Sequence, residues 1–292
     1  MKIAVCVHLY HLDMWDEIEN YLKNLKHQYV LYVNFTYETD GKLVTDFNWR
    51  EYVNLYPDLI KAGKNNHDRA YKHFIKYGIL EKRLYKNAQI QTRNKILNFK
   101  NDSIILMSPN IGVDIGAFLN TYKHVDSDVD LILKIHTKKG LGGIKNPSLV
   151  SKRFGHNEAI KIGDKWFNQL MVGVLNTEDQ VSRIIEEFKK NDKCGMVGFM
   201  GHENFSQNLN EMIKLFPILK IPKHIENTKF VGGTIFWVRN DILKKYLNNE
   251  TIDSLLVNLP HGYVHEPSPN HAIERIFGSM VYNENKELLI IN

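Results

Sequence analysis

The sequence predicts an α/β fold, a mostly parallel, doubly wound sheet flanked by helices and carrying a small helical insertion. Three observations predict it. Short apolar runs rich in β-branched residues recur along the chain, as buried parallel strands require. Segments of helical period separate those runs, which is the alternation of a βαβ architecture. One stretch, residues 47–86, breaks the rhythm with a composition rich in Tyr, Lys and Asn.

Taken in order, residues 2–9 (KIAVCVHL) read as a central strand. A helix is expected from about Asp13, with Trp15, Ile18, Leu22 and Leu25 on one face and Asp16 and Glu17 favouring its dipole. Residues 29–35 form a second strand, and 103–107, 130–136 and 194–200 three more. The clearest helix runs over 178–190, where Val181, Ile184, Ile185 and Phe188 repeat at helical spacing behind a Thr177/Gln180 capping box. Within 47–86, Pro57 and Asp58 start one helix and Gly78 stops another, which predicts a compact helical hairpin inserted after the second strand. His73 reads there as a packing residue. Its pattern Y-x-x-x-x-P-D-L … H-F-x-x-Y-G-x-x-E-x-R resembles a small module found beside glycosyltransferase domains.

The chain of 292 residues is long enough for one large domain, 1–292, with that insertion. Its net charge of +5 is too mild to predict a nucleic-acid partner. Cys6 and Cys194 both sit in apolar runs without metal or disulfide spacing, which suits a reducing cytoplasm. No apolar run reaches the length of a membrane span, leaving only peripheral contact with the inner face of a membrane open.

Five segments carry candidate chemistry. The strand 130–136 ends abruptly in His136, Thr137, Lys138 and Lys139, and ligands of open α/β sheets sit beyond the carboxyl ends of their strands. Cationic donors there suit an anion such as a diphosphate; a solvated basic turn is the plain alternative. At the end of the first strand stand His8 and Tyr10, candidates for the nucleotide side of such a ligand. The string 108–119 contributes Asn110 and Asp114, between glycines that permit close backbone approach; Asp114 also reads as a helix N-cap. Gly232 and Gly233 open an aromatic strand where a sugar ring could rest on backbone and Trp237, although a core strand after a tight turn fits equally. Finally Ser268 and Pro269 start a helix that sets His271 and Arg275 on one face with Glu274 beside them, just after Glu266. A carboxylate beside His and Arg suits general-base catalysis or diphosphate neutralisation, or else a structural ion pair.

With these segments in view, the chain resembles the rhamnan synthesis protein F family of glycosyltransferases. The strings IAVCVHLYHLDMWDEI, NIGVDIGAFL, LILKIHTKKG, FVGGTIFWVR and NHAIERIFG carry the resemblance in that order, covering nearly the whole chain outside 47–86. The resemblance implies a GT-A-type fold and transfer of a sugar, typically rhamnose, or another deoxyhexose or hexose, from a nucleotide-diphosphate donor to a polysaccharide or other glycan acceptor. The family string has Arg where Val113 stands. Many GT-A enzymes place Asp-x-Asp at the end of the fourth strand, where this chain has His136-Thr-Lys138. Asp126-Ser-Asp128 has that spelling but lies at the amino end of its strand. Transfer is therefore expected without an obligatory manganese or magnesium ion, the leaving diphosphate being met by Lys138, His136 and Arg275. Glu266 is the expected base and Glu274 the second candidate; a single base fits inversion. A nucleotide-sugar or glycan-binding module that has lost turnover is the competing reading. A phosphotransferase ranks last, since no phosphate-binding loop motif occurs.

Overall fold

The computed structural model describes residues 1–139, 156–203, 206–222 and 229–291, with no side-chain detail for 156–164, 203 and 206. Its centre is a seven-stranded sheet in the order β3-β2-β1-β4-β8-β5-β9, built from β1 (Ile3–Leu9), β2 (Tyr29–Tyr37), β3 (Ile104–Pro109), β4 (Leu131–His136), β5 (Cys194–Gly198), β8 (Phe236–Arg239) and β9 (Glu287–Ile290). The half from β3 to β4 is parallel throughout. β8 alone runs antiparallel, between β4 and β5, and β5 pairs with β9 in parallel. β6 (Gly201–Glu203) and β7 (Lys229–Val231) form a separate antiparallel pair. All seven residues of β1 and all six of β4 are buried, because these strands are covered on both faces. The sequence reading is thereby met at five strands; β6, β7 and β9 are too short or too exposed to carry its apolar signal.

The helices are α1 (Trp15–Leu22), α2 (Trp49–Leu55), α3 (Pro57–Lys61), α4 (His67–His73), α5 (Asn87–Phe99), α6 (Val113–Tyr122), α7 (His156–Leu175), α8 (Glu178–Lys190), α9 (Leu209–Leu219), α10 (Asn240–Tyr246), α11 (Asn249–Val257) and α12 (Pro269–Asn283). They cover both sheet faces. One core joins α1, α5, α7 and α8 to Val5, Val33, Leu133 and Trp237; the other joins α6, α9, α10, α11 and α12 to Cys6, Tyr32, Ile132 and Val238. Alternation of side chains along each strand feeds the two cores in turn. Thr177 caps α8 as expected, accepting from the Gln180 amide at 3.1 Å. At the other end of that helix Arg239 donates to the carbonyls of Phe188, Asn191 and Cys194, fastening the antiparallel strand to the end of α8.

The 47–86 stretch departs from a simple hairpin. It holds three short helices, α2 to α4, and a π-turn over Phe74–Gly78, packed on a small core of Tyr52, Val53, Leu59, Ala70, Phe74 and Tyr85. Pro57 occupies the first turn of α3, and His73 does pack, its Nδ1 3.0 Å from the Tyr52 hydroxyl. Gly78 is required by close approach: a Cβ there would meet the Tyr52 hydroxyl at 2.5 Å and Phe74 at 2.9 Å. Gly78→Ala is accordingly expected to lower stability by about 1–3 kcal/mol in urea unfolding; an unchanged midpoint would show that the ring of Tyr52 moves aside freely.

Candidate functional site

The sheet reverses its winding between β1 and β4, and crevices open at the carboxyl ends of strands at such a switch point. His8 and His136 stand opposite each other in register on those two strands. The 108–119 and Gly232–Trp237 segments meet around them, and the loop before α12 joins from the far side.

The deepest element was missed by sequence reading. Lys134, in the middle of β4, is 1% exposed and its ammonium reaches Asp114 Oδ2 at 2.7 Å and both the carbonyl and hydroxyl of Thr234 at 2.9 Å. The rings of Phe118 and Phe236 lie near the same ammonium. Thr234 in turn donates to Asp114 at 2.5 Å. Burial alone would raise the Asp114 carboxyl, but His136 and Lys134 outweigh it and hold the group well below the usual carboxylate range. The signal was a lysine interrupting an otherwise apolar strand. Asp114 is consequently not the cap of α6. Gly112, at φ 62°, holds that position, and Val113 follows at φ 48°, a conformation rare for a β-branched residue.

His136 is not a free cationic donor. It is buried, its Nε2 donates to the Gly233 carbonyl at 2.7 Å, and its Nδ1 lies 3.1 Å from the Thr137 carbonyl. Burial pushes its pKa down to about 4, against the pull of Asp114, so the ring is neutral near pH 7. Its role is to hold the Gly232–Thr234 turn. Gly233, at φ 79°, gives its amide to Glu274 Oε1 at 2.7 Å, and the Gly232 amide goes to Met200. The backbone that was expected to meet a sugar is thus already bonded. Trp237 gives no sugar platform either: it is fully buried in the core on the other face, with its indole donating to Val174. Strand alternation is the reason, since Phe236 rather than Trp237 shares the face of Lys134.

Among the described cations of the site, Lys138 is the one not tied to a carboxylate. Its ammonium lies 3.8 Å over the Trp166 ring, and among the described residues no carboxylate stands within ion-pair distance of it. Burial lowers its pKa, an effect opposed by Asp114 and Glu274. Glu274 also feels Arg275, so the two predicted cations converge on one carboxylate, whose own pKa burial raises. Arg275 itself is only 5% exposed. It donates to the His271 carbonyl at 2.8 Å and to Glu266 at 3.1 Å, approaches Glu274 at 3.7 Å and covers the Phe230 ring. It therefore holds Glu266 and Glu274 in place more than it reaches outward. Ser268 caps α12 as expected, bonded to His271, and burial lowers the pKa of that imidazole.

On the other side of the switch point, Asn110 is buried and gives its side-chain amide to both oxygens of Glu38 at 3.0 and 3.1 Å. Tyr10 is 44% exposed, and burial of its hydroxyl together with Glu38 pushes its pKa up to about 12. Glu38, just past β2, is the second functional candidate that sequence reading passed over. The loop 258–262 ties this side to the α12 side. Gly112 donates to Pro260, Gly262 to Asn110, and the His261 ring lies against Gly41.

His8 sits between the two halves. It is 6% exposed, and among the described residues neither ring nitrogen has a hydrogen-bond partner. Burial drives its pKa to about 3. Among the described residues no group of three His, Cys, Asp or Glu side chains could hold a metal ion. Asp128 lies at the amino end of β4, paired with Lys2.

A family model described as rhamnan synthesis protein F matches residues 51–286. The chain belongs to that family. The matched range includes most of the 47–86 stretch and omits β1. No curated protein matches the chain.

Two outcomes follow from this geometry. Lys134→Met leaves Asp114 charged in a dry site and is expected to cost about 3–5 kcal/mol in urea unfolding, whereas Lys134→Met with Asp114→Leu recovers most of it. A double variant as unstable as the single one would refute the pairing. His8 and His136 have folded pKa values below the unfolded value near ~6.5, so their contribution is fully present above that pH. It is lost as pH falls, towards 4 for His136 and towards 3 for His8, at about 1.4 kcal/mol per unit and group. His8→Phe should flatten that acid slope, measured by unfolding at pH 5 and pH 8.

Proposed function

We propose that this member of the rhamnan synthesis protein F family transfers a sugar, rhamnose or another deoxyhexose or hexose, from a nucleotide-diphosphate donor to a glycan acceptor. The observation that carries this reading is the ammonium of Lys138, without a carboxylate partner among the described residues, at the carboxyl end of β4 beside a switch point. A pyrophosphate fits there because a desolvated ammonium without a carboxylate partner gains most from an anion. The mostly parallel sheet and the place of these residues at its switch point support the GT-A-type expectation.

The donor would lie across the switch point. Its diphosphate meets Lys138, while the ribose or base meets Tyr10, Asn110 and Glu38, whose carboxylate accepts from sugar hydroxyls. His8 offers its unbonded nitrogens between them. Glycosyl transfer needs charge neutralised on the leaving group and a base for the incoming hydroxyl. Lys138 supplies the first, with no obligatory metal, because it places positive charge where a pair of carboxylates would have to recruit one. Glu266 supplies the second. Its side chain is 29% exposed against 15% for Glu274, and Arg275 and His271 orient it. The acceptor hydroxyl, giving its proton to that one base, attacks the anomeric carbon from the face opposite the departing nucleotide diphosphate, which gives inversion.

A screen of dTDP-, UDP- and GDP-sugars with EDTA or manganese tests donor and metal together. Turnover is expected to persist in EDTA; loss in EDTA with rescue by manganese would overturn the metal-free reading. Glu266→Gln should lower kcat by about 10²–10⁴ with donor KM within a few-fold. If Glu274→Gln does this instead, the two carboxylates exchange roles. Nucleotide binding without any sugar release would favour the binding-module reading, for which the engagement of Glu266 by Arg275 is the structural argument.

A further inference from the structure

We infer that the 47–86 insertion is a docking surface for a membrane bearing anionic lipid. The segment holds nine Lys and Arg against four Asp and Glu, a net +5 that equals the charge of the whole chain, so the rest of the protein is neutral overall. The same segment exposes large apolar side chains that its own core leaves out. Leu80 is 80% exposed, Ile60 49%, Tyr77 44% and Ile75 42%. Inside the π-turn the two roles separate cleanly: Phe74 and Gly78 face the insertion core, while Ile75 and Tyr77 face outward. The turn closes through the Ile79 amide on the Phe74 carbonyl, five residues back, and Leu80 follows directly beyond it. Lys76 lies over the Tyr77 ring, and neither Lys76 nor Lys82 has a carboxylate partner among the described residues.

Exposed apolar residues, an interfacial tyrosine and lysines without carboxylate partners among the described residues, all within the one insertion, are what a bilayer interface selects. The lysines meet anionic headgroups while Ile75 and Leu80 enter the headgroup–acyl boundary. A soluble acidic partner would use the charge but leave the isolated apolar side chains unexplained; charge complementarity to a lipid surface uses both. The inference is independent of the transfer reaction, because none of these side chains belongs to the rim around His8 and Lys138.

The test is flotation of the full chain with vesicles of phosphatidylcholine alone or mixed in equal parts with phosphatidylglycerol. Binding is expected only to the anionic vesicles and should weaken with salt. Ile75→Ser with Leu80→Ser, and separately Lys76→Glu with Lys82→Glu, should each reduce partitioning roughly tenfold. Both pairs are exposed, so circular dichroism and Tm should be unchanged. Equal flotation of the variants, or no flotation of the parent chain, overturns the proposal. So does concentration-dependent self-association that the Ser variants abolish, which would assign the surface to a second copy of the chain.

Discussion

A lysine in the middle of a fully buried strand is the constraint on which the site depends. Desolvating an ammonium is costly unless a carboxylate and further acceptors surround it. Lys134 obtains them from Asp114 in the first turn of α6 and from Thr234 in the turn before β8. Two segments 120 residues apart are thereby fixed against one strand. The same turn presents Gly233, whose carbonyl holds His136 and whose amide holds Glu274. The position of the rim residues thus follows from the neutralisation of one buried charge.

The rim that results is electrically divided. Towards β2 and β3 it is acidic and polar, with Glu38, Asn110 and Tyr10; towards α12 it carries Lys138 and the Arg275 clamp. A ligand with a neutral polyhydroxyl end and an anionic middle matches that division better than a uniformly charged one. Between them His8 remains neutral and unbonded, which is an expensive state for a buried imidazole without a function.

Much of the fold was legible because parallel strands covered on both faces leave unbroken apolar runs, as in β1 and β2. The antiparallel β8 was not legible as such, because strand direction leaves no trace in local composition. Its four residues were read as part of a longer strand opened by Gly232 and Gly233, when those glycines belong to the turn. Residues of the candidate site stood out where charge follows an apolar run, as at His136 and Lys138. Partners remote in sequence were not. Trp237 reads as a ligand platform until alternation sends it to the opposite core, and Asp114 reads as a cap until Lys134 claims it. Local pattern names the residues; long-range packing decides their work.

The loop from Leu259 to Gly262 has its backbone pinned at Gly112 and Asn110 and its His261 ring seated on Gly41. A segment so moored has already surrendered its freedom before any ligand arrives. Glu266 follows four residues later from that anchored point, and the ordering of the anchor is not subtracted from the affinity of any ligand bound beside it.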